Sequence, residues 1–211
     1  RAQALVDLLI PVVKAWSTDN GIDIASTGIQ IHGGMGYIEE TGAAQHLRDA
    51  RIATIYEGTN GIQAIDLIGR KVARDNGATV ALLIAEINGV IDDLNALGDE
   101  NLSVIAKRLE EALGSLKLAT DWIVACYGRN INDALAVAVP YLALMGHTTG
   151  GWMMGAAALA VTKSGATEPF AMAKVATARF YADHVLTDVS GLAEKVMRGG
   201  PSVTGINFDE I

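Results

Sequence analysis

Residues 1–36 read RAQALVDLLIPVVKAWSTDNGIDIASTGIQIHGGMG, and the spacing of their apolar side chains decides the fold class. Leu5, Leu8, Leu9, Val12, Val13 and Trp16 recur at intervals of three and four, and Ile22, Ile24, Ala25 and Ile29 carry that face onward. This is the period of a helix, not of a strand. A helix is therefore expected from about Gln3 towards Ile31, with Pro11 able to kink or restart it. Gly33-Gly34-Met35-Gly36 ends it, because consecutive glycines forfeit helix stability and open backbone angles that other residues avoid.

The same period continues downstream. A short helix is expected from Gly42 to about Ile52, with Thr41 as its N-cap. Ile55-Tyr56-Glu57-Gly58 breaks the pattern, and a helix resumes at Thr59 or Asn60 and runs to Asp75, closed by Asn76-Gly77. Four longer helical stretches follow, near 79–97, 101–128, 131–163 and 168–198, with Asp99, Asn130 and Thr167 as caps and Pro169 in a first turn. The run from Gly199 to Gly205 reads as irregular. The chain is expected to be all-α, with residues 1–76 forming one helical unit and 77–211 an appended antiparallel helical bundle.

Composition excludes several function classes. Among 211 residues, 16 basic and 24 acidic side chains leave a formal charge of −8, and no block of Lys or Arg offers nucleic acid or an anionic membrane a partner. Half of the residues are hydrophobic, so the chain has a core to bury and is not disordered. A single cysteine, Cys126, excludes an internal disulfide framework and a Cys-based zinc site and fits a cytoplasmic setting. No metal site is expected, since His32, His46, His147 and His184 have no partners at ligand spacing. The start lacks both an initiator Met and a signal peptide, so the chain reads as a fragment. Residues 134–161 are nearly without charge, but Pro140, His147, Thr148, Thr149, Gly150 and Gly151 interrupt them. They are expected to form a buried helix pair or a kinked helix and no transmembrane span. Trp16, Trp122, Trp152 and Met153-Met154 are expected to fill core.

Residues 28–63, GIQIHGGMGYIEETGAAQHLRDARIATIYEGTNGIQ, carry the densest chemistry. Gly33-Gly34 displays N–H groups without side chains, which suits either a helix stop or the close approach of a pyrophosphate or ribityl chain. Glu57 lies between an aromatic residue and a glycine in a loop of apolar context. It suits a partly desolvated general base, or a charge complementing the dipole of the helix that begins at Thr59. Thr59 and Asn60 suit N-caps. Arg48 and Asp49 read as a local ion pair or cap.

Gln30-Ile31-His32-Gly33-Gly34-Met35-Gly36-Tyr37, then Arg48-Asp49-Ala50-Arg51, then Ile55-Tyr56-Glu57-Gly58-Thr59-Asn60-Gly61-Ile62-Gln63 resemble, in that order and spacing, the C-terminal signature of acyl-CoA dehydrogenases. The remainder resembles the helical domain that larger members append. The resemblance implies FAD as cofactor and an acyl-CoA as substrate, oxidised to the trans-2-enoyl-CoA. It implies Glu57 as the base for the α-proton, with the β-hydrogen leaving as hydride to flavin N5. It further implies that Tyr56 and Gly58 contact substrate and that Thr59, Asn60 and Gly61 contact FAD. Gln30, Ile31, His32, Gly33 and Gly34 would contact the FAD of a neighbouring subunit. Asn60-Gly61 stands where many members carry Ser-Glu or Ser-Gln.

The implied partners are an electron-transfer flavoprotein and further copies of the chain, as dimer or tetramer, with a place in fatty acid metabolism. An N-terminal helical domain, a β-domain and the first bundle helices would precede Arg1, so residues 1–211 alone are expected to be colourless and inactive. The rival readings are an acyl-CoA oxidase, which shares the base, and a DNA-associated member of the fold, which the charge of −8 opposes. A third is a helical interaction module without activity.

Overall fold

The structure is a computed structural model that describes residues 1–207, and every regular element among them is helical. Helix α1 spans Ala2–His32 and passes through Pro11 without a break. It buries Leu8, Pro11, Val12 and Ala15, with Leu5, Leu9 and Trp16 packed partly against the core. Val13 and Ile24, expected on that face, point outward with 62% and 71% of their surface exposed. They continue a second apolar stripe with Val6, Ile10 and Ile31 on the opposite side of the helix. The period thus identified the buried face through Leu5, Leu8, Leu9, Val12 and Trp16, and misplaced only Val13 and Ile24, which lie on the second stripe.

Gly33 stops α1 with φ +61° and ψ −143°, a region glycine alone enters readily. The single turn α2, Gly34–Tyr37, folds back so closely that a Cβ on Gly36 would stand 2.3 Å from the Ile29 carbonyl oxygen. A 3-10 turn at Glu39–Thr41 leads to α3, Ala43–Ala53. Gly42, at φ +74°, and not Thr41 holds the N-cap position, although the Thr41 hydroxyl accepts from the Ala43 N–H at 3.4 Å while donating to the Met35 carbonyl at 2.8 Å. Arg48 pairs with Glu39 at 3.1 Å and not with Asp49, which accepts from Gln45 at 3.4 Å. Adjacent residues on a helix point in different directions, so the expected Arg48–Asp49 pair cannot close. Helix α4, Asn60–Asp66, runs into a π-helical turn, Leu67–Val72, and a 3-10 turn, Ala73–Asp75. Asn76 and Gly77, with φ +55° and +78°, end it.

The remaining helices are α5 (Ala78–Ala96), α6 (Glu100–Tyr127), α7 (Ile131–Ala136), α8 (Ala138–Ser164), α9 (Pro169–His184) and α10 (Val189–Thr204). Asp99 accepts from the Leu102 N–H at 3.0 Å and Asn130 from the Asn132 N–H at 3.2 Å, so both act as caps. Thr167 does not, since Glu168 takes the N-cap position and Pro169 begins α9.

Two expected helices are each divided. Val137 separates α7 from α8 because Pro140 has no N–H to donate back to Ala136 and so sits in the first turn of a new helix. Between α9 and α10, the 3-10 turn Leu186–Asp188 buries Leu186 against Gly151. Conversely, the Gly199–Gly205 run, expected to be irregular, is helical to Thr204. There α7 holds it: a Cβ on Gly200 would lie 2.7 Å from the Asp133 carbonyl oxygen, and the Thr204 hydroxyl donates to the Asp133 carboxylate.

One continuous apolar core joins α1 and α4 to the later helices, from Leu8 and Val12 through Leu67 and Ile68 to Leu116, Tyr141 and Val196. Helix α1 packs on α3, α4 and α8, while α6 is central to α5, α8, α9 and α10. Tyr141 is fully buried, and its hydroxyl meets Thr120 Oγ1 at 2.8 Å. Burial holds its phenol well above the ordinary range. The three tryptophans are partly buried against this core, as is Met154, but Met153 faces solvent. Among the described residues, no helix is long and apolar enough to cross a membrane.

Candidate functional site

The loop between α3 and α4 is held in an unusual backbone conformation. Glu57 has φ +57° and Gly58 φ +79°, so two successive residues are left-handed and one of them carries a side chain. For a residue other than glycine this costs about 1–2 kcal/mol and persists only where neighbouring groups impose it. Those groups are identifiable. The Gln63 side-chain amide donates to the Glu57 carbonyl at 2.9 Å, and the Lys14 ammonium donates to the Gly58 carbonyl at 2.9 Å. The Asn60 N–H closes the loop onto the Thr54 carbonyl at 3.1 Å. Thr59 caps α4, accepting from the Ile62 N–H at 3.3 Å.

With its main chain pinned, the loop presents its side chains outward. Glu57 is exposed, so the described residues do not supply the desolvation expected from its apolar context. Tyr56, Gly58, Thr59 and Gly61 are exposed too. Ile55, Tyr56 and Ile62, near Glu57 in sequence, are each about half exposed.

Asn60 is different, because its side chain is committed inward. Its amide oxygen accepts from Lys14 at 2.7 Å, and its amide nitrogen donates to Asp19 Oδ1 at 2.7 Å and Thr18 Oγ1 at 2.9 Å. Asn60 and Gly61 also line a cleft of about 330 Å³ with Trp16 and Asp19 of α1 and Leu142 and His147 of α8. Helices beyond residue 77 thus reach the loop region.

The other sequence block lies elsewhere. Gln30, Ile31, His32, Gly33 and Gly34 are all exposed at the far end of α1, where His32 Nδ1 meets the Gly28 carbonyl at 2.9 Å. Lys14 and Gln30 are sixteen positions apart on one helix, about 24 Å along its axis, so the two blocks do not form one cluster within the chain. Gly33 is needed as a helix stop, whereas a Cβ on Gly34 would meet nothing within 4 Å. The Gly34 main chain is thus open to a ligand's approach.

Lys14 is the participant that sequence reading missed. It is 44 residues from Gly58, so no local pattern joins them. The available signal was a lone cation inside Val12-Val13-Lys14-Ala15-Trp16, where an amphipathic helix has no need of one. Among the described residues, no group of three or more His, Cys, Asp or Glu side chains is arranged to hold a metal ion.

Comparison with known proteins assigns both parts of the chain. Residues 2–73 match the family model described as acyl-CoA dehydrogenase, C-terminal domain, and residues 83–207 match that described as acetyl-CoA dehydrogenase C-terminal like. A 3-methylmercaptopropionyl-CoA dehydrogenase of Ruegeria pomeroyi is 43% identical over 96% of the chain and 35% of its own length. A broad-specificity linear acyl-CoA dehydrogenase of Mycobacterium tuberculosis is 30% identical over 90% of the chain and 33% of its own length. The chain thus spans about a third of the length of these curated relatives. The crystal structure of an acyl-CoA dehydrogenase complexed with FAD from Bacillus anthracis superposes with a TM-score of 0.68 over 96% of the chain and 34% of that chain, at 20% identity, and so shares the fold. The helical architecture, the ordered motif blocks and the model matched over more than half of its length together show that the chain belongs to the acyl-CoA dehydrogenase family.

Proposed function

We propose that this chain is the base-bearing C-terminal part of an FAD-dependent acyl-CoA dehydrogenase that converts an acyl-CoA to its trans-2-enoyl-CoA. The observation that carries this reading is Glu57, an exposed carboxylate on a loop whose main chain is fixed at both the Glu57 and Gly58 carbonyls. An α-C–H is a weak acid, so its base must be positioned before reaction and not found by diffusion. Family membership supports the assignment. Half-exposed Ile55, Tyr56 and Ile62 offer the acyl chain an apolar approach to the carboxylate.

The residues present fit FAD in two places. Gly34 offers open main chain where a Cβ would have no neighbour, and Gln30 and His32 stand exposed beside it as polar partners. Thr59 and Gly61 offer a hydroxyl and exposed main chain at the start of α4. The distance between the two blocks along α1 favours two different flavins, and hence a homo-oligomer. FAD, when bound, supplies the two-electron oxidant that takes the β-hydrogen as hydride at N5. Glu57 takes the α-proton, and the electron pair of that C–H bond becomes the new carbon–carbon double bond. Electron-transfer flavoprotein is the proposed acceptor, and Tyr56 and Gly58 the proposed substrate contacts.

Anaerobic titration of the full-length, FAD-loaded protein with acyl-CoAs of graded chain length tests this reading. Bleaching of the flavin band with formation of enoyl-CoA is the expected result. A bound flavin that no acyl-CoA bleaches would refute it. A second experiment addresses Gly34: because a Cβ added there would meet no distant part of the chain within 4 Å, Gly34→Val is expected to retain helical content while flavin content falls. Unchanged flavin occupancy would remove Gly33-Gly34 from the cofactor site.

A further inference from the structure

We propose that Lys14 is a positioning residue for the reaction, acting through the backbone of the base loop; the proposal rests on the reading of Glu57 as the base. The ammonium has two acceptors, the Gly58 carbonyl at 2.9 Å and the Asn60 amide oxygen at 2.7 Å. These lie on either side of Thr59, so one cation ties the end of the loop to the first residue of α4. The Asn60 amide nitrogen then reaches back to Thr18 and Asp19, one helical turn beyond Lys14 on α1. Lys14, Asn60, Thr18 and Asp19 thereby make a polar connection between α1 and the loop.

The geometry at Glu57 gives this connection its consequence. Glu57 and Gly58 both hold positive φ, and the Gly58 carbonyl that Lys14 fixes lies one residue beyond Glu57, so the anchor constrains the strained stretch that carries the carboxylate. Gln63 holds the Glu57 carbonyl from within α4, a contact that moves with that helix. Lys14 is the contact from outside it. Without Lys14, the Gly58 carbonyl loses its side-chain donor, and the loop keeps only its hydrogen bonds to α4 through Gln63 and to the Ile52 and Thr54 carbonyls at the end of α3, with Asn60 the remaining tie to α1. With it, the loop itself is tied to α1, the longest helix among the described residues and part of the core. Lys14 touches main chain and an amide, not the Glu57 carboxylate, which separates it from a group that tunes the acid directly.

Lys14→Met in the full-length, FAD-loaded protein tests the inference by two readouts. Amide exchange in the 54–63 peptide, followed by mass spectrometry, is expected to rise about tenfold or more as the loop loses an anchor, with helices α5 and α6 unchanged. The rate of flavin reduction at saturating acyl-CoA is expected to fall about 10- to 100-fold with flavin content intact and KM little altered, the signature of a misplaced group and not of lost binding. Lys14→Gln, shorter but still a donor, gives a second variant should Lys14→Met fold poorly, with the same expected directions. Unchanged exchange and turnover in a folded variant overturn the proposal, as does a loss of turnover that merely tracks lost flavin or lost helix. Glu57→Gln, measured alongside, separates the levels: a Lys14 variant without effect where Glu57→Gln is inactive removes the Lys14 inference alone. Full turnover in Glu57→Gln removes the base assignment and this proposal with it.

Discussion

Glu57→Gln in the full-length, FAD-loaded protein is expected to keep its flavin and to lose about 10²- to 10⁴-fold in the rate at which acyl-CoA bleaches it. The substitution preserves shape and removes only the ability to accept a proton. It also spares the loop, because Gln63 and Lys14 hold the Glu57 and Gly58 carbonyls and not the Glu57 side chain. Glutamate and glutamine meet the same backbone strain at φ +57°, so none of the loss is attributable to refolding of the turn. Stopped-flow absorbance under anaerobic conditions, with flavin content measured on the same sample, makes the comparison. Reduction near the parent rate would place the base on another residue.

Gly146→Ala is expected to lower stability by about 2–3 kcal/mol, a large effect for a single added methyl group. The added Cβ would stand 2.3 Å from Cδ1 and 2.4 Å from Cγ of Trp16, atoms near the root of the ring that cannot move without the helix that carries them. Trp16 meets neighbouring residues of α8 as well. It meets the His147 ring edge-on at 6.1 Å, and its Cη2 atom lies 3.1 Å from where a Gly150 Cβ would be. Relief therefore requires α1 to separate from α8. Gly89→Ala is the control, since Gly89 is an exposed glycine within α5 with nothing within 4 Å of its would-be Cβ. There the same substitution removes only backbone freedom from the unfolded chain and is expected to stabilise by about 0.5–1 kcal/mol. Urea unfolding of both variants beside the parent gives the two signs. A Gly146→Ala protein as stable as the parent would show that the α1–α8 seam is not close-packed.

How far each feature was legible follows from the range of the interaction behind it. Helix period, the Asp99, Asn130 and Thr59 caps and the Asn76-Gly77 stop depend on residues within a turn of one another, and all could be read along the chain. Failures arose where a distant element intervened. Pro201 and its preceding glycines look like a helix end, but α7 holds them helical through Gly200 and Thr204. The motif around Glu57 was legible as an ordered string of residues, while its left-handed backbone and the Lys14 anchor were not. Nothing local announces a contact across 44 residues.

The sequence by itself determined that this chain is helical, where most helices begin and end, and which family it joins, because those properties are written in local spacing and in motifs. The tertiary structure alone decided that Val13 and Ile24 fall outside the buried face of α1. It decided that Gly146 and Gly150 serve as a seat for Trp16 while Gly89 serves none. It decided, too, that Asn60 faces inward to Lys14 and Asp19 while Glu57 faces outward. The physical reason is common to all three: a residue's neighbours in a packed core come from distant parts of the chain, and close packing permits only one arrangement of them.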